Sequence, residues 1–272
     1  MRLHGRNLVL WIAVLIWAGS AAVGLAAEEE GERQPMYLYI IEEDIIPEHM
    51  ETYMQARLAD AKLSAQYDFD FPFLTFVQDF HVTTVGIFRA FAQLDSLQQK
   101  MEAWDERTGG KAEKLNKQIM SCISRTSTSI NVNRPDLSYF PKGPAFWPDF
   151  TESCYQSVTI YHIKPGGREE AEEAGKKIKE LNAKKQSPYP YVVEERILGQ
   201  DASAFCVIGF TKDKATMAKQ EQLAQATPDP EGEKVAADYA HVVTRIETKE
   251  ATFVPGASYV PKGTFGSGGK ND

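Results

Sequence analysis

An α+β chain built from two copies of one unit, strand-helix-strand-strand-helix-strand, is predicted from three observations. First, Ser138-Tyr139-Phe140-Pro141-Lys142-Gly143 recurs as Ser258-Tyr259-Val260-Pro261-Lys262-Gly263, an offset of 120 residues. Second, that offset also pairs Pro135 with Pro255 and Arg125 with Arg245. Further upstream an offset of 118 pairs Tyr37 with Tyr155, Pro47 with Pro165 and Pro72 with Pro190. One two-residue loop insertion reconciles the two offsets. Third, strand and helix patterns follow the same order in each half. Self-similarity at a fixed spacing marks a duplicated architecture, and a unit of roughly 110 residues is a common domain size. The repeats are placed at residues 36–143 and 154–263.

The second half shows the pattern best. Tyr155 to Ile163 alternates and is rich in Val, Thr, Ile and Tyr, as strands are. Pro165-Gly166-Gly167 ends it. Arg168 to Leu181 then carries Ala171, Ala174, Ile178 and Leu181 at helical spacing, with Glu172/Lys176 and Glu173/Lys177 as i,i+4 pairs on the wet side. Tyr191 to Leu198 and Ser203 to Phe210 read as a hairpin through Gly199-Gln200-Asp201. A helical region from Asp213 is interrupted by Pro228 and Pro230, and a last strand runs from Arg245 to Phe253. The first half repeats the order. Tyr37 to Ile46 is a strand, followed by a helix opened by Pro47 with Met50, Met54, Leu58 and Ala61 as its apolar stripe. Phe73 to Phe80 pairs with His81 to Phe91. A helical region from Asp95, carrying Leu97, Met101 and Trp104, breaks at Gly109-Gly110, and Arg125 to Val132 closes the half.

Outside the repeats, Arg2 and Arg6 precede an apolar run, a small-residue stretch ending at Ala27 and Glu28-Glu29-Glu30. That order is a secretory signal over residues 1–27, cleaved after Ala26 or Ala27. An uncleaved anchor is the alternative, because the apolar stretch nearly spans a bilayer. The protein is expected to be exported, periplasmic or extracellular, with no stable membrane association once cleaved. Residues 144–153, including Phe146-Trp147-Pro148-Asp149-Phe150, are too aromatic for a free linker and are expected to pack on the body. Residues 264–272 read as a flexible Gly/Ser tail.

Charge and cysteine content narrow the function. The formal net charge of −8 becomes −10 without residues 1–27, which hold two arginines and no acid. Such a chain lacks the basic footprint of a nucleic-acid binder. Cys122, Cys154 and Cys206 allow at most one disulfide and read as small buried hydrophobes. His49, His81, His162 and His241 show no metal-ligand spacing. No Cys-x-x-Cys-His, Gly-x-Ser-x-Gly or dinucleotide fingerprint is present, so neither a metal nor a cofactor is expected.

The unit is the ferredoxin-like plan. Its segment His162-Ile163-Lys164-Pro165-Gly166-Gly167-Arg168-Glu169-Glu170-Ala171 resembles the opening of the dimeric α/β-barrel superfamily, which includes NIPSNAP proteins and antibiotic-biosynthesis monooxygenases. The resemblance implies a single-chain pseudo-dimeric α/β barrel in which each half covers the other's bare sheet face. It also implies that few catalytic residues are obligatory, and that some relatives bind haem, for which His241, late in the final helical region, is a candidate axial ligand.

Strand alternation then proposes a lining. Val158 and Ile160 are assigned to the helix side. Tyr155, Ser157, Thr159 and Tyr161, with Tyr37, Tyr39 and Glu43 of the first half, are assigned to the barrel interior. Arg125 and Arg245 begin equivalent strands and would hold an anion at the mouth. The same tyrosines would equally fill a packed core. The expectation is a protein binding a small organic ligand, as a monomer or an assembly of pseudo-dimers. The alternative is a cofactor-independent monooxygenase acting on a phenolic or quinone-like substrate. Whether the protein is an enzyme is left open by its sequence.

Overall fold

The computed structural model describes residues 36–141, 148, 150, 152–199 and 203–261. The residues read as a signal and as a tail, most of the linker and the Gln200-Asp201 pair of the expected hairpin turn lie outside the described residues. The chain is α+β. Its first half runs β1 (Tyr37–Ile45), α1 (Met50–Gln66), β2 (Phe73–Gln78), β3 (His81–Phe88), α2 (Phe91–Asp95), α3 (Leu97–Thr108), α4 (Lys111–Met120) and β4 (Ile123–Asn133). Its second half runs β5 (Tyr155–Ile163), α5 (Arg168–Lys185), β6 (Val192–Gly199), β7 (Ala204–Thr211), α6 (Lys214–Ala226), α7 (Pro230–Tyr239) and β8 (Val243–Phe253). In hydrogen-bonded order the strands run β1-β3-β2-β8-β5-β7-β6-β4 and close as a barrel.

Local chemistry sets the helix ends. Pro47 opens a short 3-10 turn before α1. Gly109 and Gly110 take φ of 63° and 78°, which side chains resist, and so separate α3 from α4. The Asp213 carboxylate accepts from the Thr216 N–H at 2.7 Å to cap α6, and Asp229 accepts from the Gly232 N–H at 3.1 Å to cap α7.

Two compact units result, and their limits differ from the repeat boundaries. The first comprises residues 36–131, 150, 152–153 and 252–261; the second comprises 132–141, 148, 154–199 and 203–251. Each unit thus takes its closing segment from the other half of the sequence.

The two closing segments make the same bonds. In the first unit the Val254 N–H donates to the Thr75 carbonyl at 2.9 Å, the Thr75 N–H donates to Ser258 Oγ at 2.9 Å, and Phe73 and Tyr259 exchange backbone bonds at 2.7 and 2.8 Å. In the second unit Arg134 donates to Val193 at 2.8 Å, Val193 donates to Ser138 Oγ at 2.8 Å, and Tyr139 and Tyr191 exchange bonds at 3.0 Å. Each bond maps onto its counterpart through the 118 and 120 offsets. The repeated serine acts the same way in both places, since its hydroxyl accepts from a strand N–H and donates to the carbonyl four residues earlier.

In the first unit the core gathers Phe69, Phe71, Phe73, Phe88, Trp104 and Tyr259, with Tyr37 and Tyr39 packed on it. Trp104 stacks on Phe69 with centroids 4.5 Å apart, the core role its spacing predicts. Of the aromatic linker, Phe150 meets Phe253 edge-on at 5.3 Å. The three cysteines are buried thiols, and burial raises that of Cys154 to about 11.

Two sequence expectations need correction. The α1 stripe fails at one position: Met50 and Met54 pack on the core and Ala61 is buried, but Leu58 is 44% exposed and Tyr53 and Ala56 are buried as well. Residues three and four apart share a helix face, and the bonds that Tyr53 makes to Glu43 and Arg57 place the Tyr53, Ala56 and Arg57 side of α1 inward. The strand faces are also reversed. Tyr161 and Ile163 pack with Ala171 and Ile178 of α5, while Ile160 lies on the opposite face with Val158, Ala204 and Cys206. Tyr37, Tyr39 and Glu43 likewise face the helix side. A period of two separates the faces without saying which is covered by helices, and both faces of these strands are apolar.

Candidate active or binding site: an apolar cavity in the second unit

In the second unit the helix side of β5, β6 and β7 does not fill completely. A cavity of about 120 Å³ lies between these strands and helices α5 and α7. Tyr161, Ala171, Gly175, Tyr191, Phe205 and Val235 are among its lining, and nearly all of its wall is carbon. Tyr191, just before β6, and Phe205 on β7 are buried, and Ala171, Gly175 and Val235 are on the flanking helices. Among the described residues, Tyr191 Oη makes no hydrogen bond of ordinary geometry. Burial holds the Tyr161 and Tyr191 phenols well above the ordinary tyrosine range, so both stay protonated at neutral pH.

A charged group flanks this region on the same helix and strand. Arg134 Nη1 donates to Glu195 Oε2 at 2.6 Å and to Glu172 Oε1 at 2.8 Å, and its Nη2 reaches Asp136 at 2.8 Å. Arg168 donates to Glu195 and also bonds Glu172 at 2.8 Å. Both guanidinium groups are engaged by carboxylates: against the upward pull of burial, Arg168 and Arg134 hold Glu195 below the usual carboxylate range, and the bond from Arg134 lowers the exposed Asp136.

The first unit fills the matching position. By the 118 offset Tyr161, Ala171 and Gly175 correspond to Glu43, Tyr53 and Arg57. There the Tyr53 hydroxyl donates to Glu43 Oε2 in a short bond, Arg57 Nη2 donates to the same oxygen at 2.7 Å, and Arg57 Nε donates to the Tyr53 oxygen at 2.9 Å. The neighbourhood has changed in the opposite sense. Met50, Met54 and Val77 pack on the first unit's core where Arg168, Glu172 and Glu195 form the ionic group of the second.

One turn beyond Arg57, burial raises the Asp60 carboxyl to about 6, partly offset by Arg57. With its folded pKa above the unfolded value near 3.8, the native state holds the proton more tightly, so stability is present below about pH 4 and is lost as pH rises through 6. Asp60→Asn is expected to be about 1–2 kcal/mol more stable than wild type at pH 7 and equal to it near pH 3.5. Urea melts at the two pH values check this.

The residues singled out from sequence scatter. Tyr161 lines the cavity. Glu43 belongs to the buried group of the first unit. Tyr37 and Tyr39 pack on aromatic core, with Tyr37 stacked on Phe88 at 5.3 Å. The Tyr155 hydroxyl donates to Glu250 at 2.6 Å, and Ser157 and Thr159 are buried on β5. Arg125 is largely exposed, 3.9 Å from Asp44, and Arg245 bonds Glu247 at 2.8 Å. His241 sits at the surface bonded to Glu170 at 2.8 Å. Sequence reasoning missed Ala171 and Gly175 as site residues, although the repeat offset pairs them with Tyr53 and Arg57. Among the described residues no group of three metal-ligating side chains occurs, and no helix is long and apolar enough to cross a membrane.

No protein-family model matches the chain, and no curated protein matches it by sequence. Solved structures do. An anthrone oxidase-like protein aligns with a TM-score of 0.54 at 15% identity over 85% of this chain and 93% of that one. The chain shares its fold. That fold is the dimeric α/β-barrel, ferredoxin-like arrangement. A protein from Lactobacillus acidophilus NCFM, provisionally named a monooxygenase, aligns at TM-score 0.49 and 10% identity over 82% of this chain and 94% of that one. Chlorite dismutase from Candidatus Nitrospira defluvii aligns at TM-score 0.46 and 11% identity over 81% and 92%.

Proposed function

We propose that this is an exported protein that binds a small organic molecule in the apolar cavity of its second unit, on a chain formed by tandem duplication of a ferredoxin-like unit. The observation that carries this reading is the cavity itself: carbon-walled, bounded by faces of two helices, and lying where the equivalent unit is packed. An apolar pocket with few polar groups is the usual form of a small-molecule site. Export rests on residues 1–27 read as a signal. On this reading both halves of the fold come from one chain, which acts as a monomer or as an assembly of such pseudo-dimers.

Ala171→Phe tests the assignment, because the equivalent residue Tyr53 shows that an aromatic ring fits the matching position of α1. In a thermal-shift screen of small organic compounds, wild type is expected to show hits that raise Tm, since only a native-state binder does so. Those shifts should vanish in Ala171→Phe. Hits that persist unchanged in the variant would remove the cavity as the site.

A second reading, oxidation of a phenolic or quinone-like substrate without cofactor, draws on the name of the anthrone oxidase-like protein and on the neutral buried phenol of Tyr161 at the cavity. Function does not follow from fold. Oxygen uptake on incubation with quinols decides it, and no uptake above the rate without protein ends this reading.

A further inference from the structure

The two units differ where the cavity lies, and the difference bears on what binds and how many. In the first unit the position is closed by the Tyr53 ring and the Arg57 guanidinium, both bonded to Glu43. Tyr53 is 0% exposed. In the second unit Ala171 and Gly175 remove both side chains, and Tyr161 replaces the carboxylate that anchored them. Space remains, and its wall offers almost no hydrogen-bonding surface. The adjoining guanidinium groups of Arg134 and Arg168 are already engaged by Glu172, Glu195 and Asp136, so no cation is offered to an anionic guest. Cavities of roughly 150 Å³ lined by apolar side chains stay dry and admit benzene.

We infer that the second unit takes one small uncharged aromatic molecule of about benzene size per chain, and that the first unit, sealed by Tyr53 and Arg57, takes none. This rests on the reading of the cavity as the binding site. A charged ring such as benzoate is excluded because its carboxylate would be desolvated without a partner. Water competes weakly, because the wall is nearly all carbon.

The test is a ¹⁹F NMR titration of the full chain with fluorobenzene, repeated with fluorobenzoate and with Ala171→Phe and the milder Ala171→Leu. Saturable binding of one fluorobenzene per chain is expected, with at least a tenfold weaker response to fluorobenzoate and loss of binding in Ala171→Phe. Ala171→Leu keeps the test readable if the larger ring prevents folding, and it should weaken binding at least fivefold. A combined Glu43→Tyr/Tyr53→Ala/Arg57→Gly variant, if it folds, should raise the stoichiometry to two. Two fluorobenzenes per wild-type chain, or fluorobenzoate binding as well as fluorobenzene, overturns the inference. If fluorobenzene fails to bind while hits from the compound screen still vanish in Ala171→Phe, the size and charge class is wrong and the site stands. If neither fluorobenzene nor any hit responds to substitution at Ala171, the site falls as well.

Discussion

A chain that stops at Ala251 is expected to lose the fold of the first unit, although residues 36–131 remain intact. The reason lies in the segment removed. Residues 252–261 supply Phe253, which is 0% exposed and packs on Phe76 with centroids 5.4 Å apart, and Tyr259, part of the main aromatic core. They also satisfy β2: Phe73 and Thr75 bond the backbones of Tyr259 and Val254, and the Thr75 hydroxyl donates to the Ala257 carbonyl at 2.6 Å. Removing one buried Phe alone costs about 3–5 kcal/mol, and the vacated β2 groups add a desolvation cost of about 1–3 kcal/mol each where they stay buried. That total is comparable with the whole stability of a small domain, about 5–15 kcal/mol. Hydrogen exchange should show β2 and β3 amides unprotected in the truncated chain. Native-like protection of β2 would mean that the exchanged segment contributes little, and that each half folds without the other's closing residues.

Arg57→Ala is expected to destabilise the protein by about 3–5 kcal/mol, the cost of leaving one member of a buried ion pair without its partner. Side-chain exposure is 12% for Arg57 and 5% for Glu43. The guanidinium makes two of the three bonds that hold the group together, and its removal leaves the Glu43 carboxylate with the Tyr53 hydroxyl. The control is Tyr53→Phe, which removes a single hydroxyl and should cost about 1 kcal/mol. Replacing Glu43 and Arg57 together by leucine removes both charges and should recover much of the loss, because well-packed apolar residues often match a buried ion pair. Chemical denaturation of the three variants gives the comparison. Equal losses in Arg57→Ala and the double variant would show that Arg57 acts by packing on the Tyr53 ring, over which it lies at 5.3 Å, rather than by charge.

Much of the fold was legible because it is written in local chemistry. Proline fixes its own φ and glycine admits the positive φ that side chains resist, so Pro47, Pro230 and the Gly109-Gly110 pair mark element ends without reference to any distant contact. The repeat was legible because equivalent residues perform equivalent bonds. Ser138 and Ser258 cap the same turn, and the offset that pairs them accompanies one that pairs their strand partners Val193 and Thr75. The exchange of closing segments left no local mark. Nothing in the covalent order of Arg134 to Tyr139 says whether that segment returns to β2 or meets β6, since either strand offers the same row of N–H and C=O groups.

The candidate site was the least legible part. Alternation along β1 and β5 separates the two faces without giving their sign, so Tyr161 was assigned to the wrong side, and Ala171 and Gly175 read as ordinary small residues of a helix. A cavity is the absence of atoms and has no residue of its own. By itself the sequence determined the element order, the 118- and 120-residue offsets between matching residues and the acidic, cysteine-poor character of the chain, all properties of short-range geometry and composition. Only the tertiary structure decided which closing segment completes which unit, which strand face meets the helices, and where packing stops short. Those outcomes depend on side chains far apart in the chain competing for the same volume, and volume is filled in three dimensions.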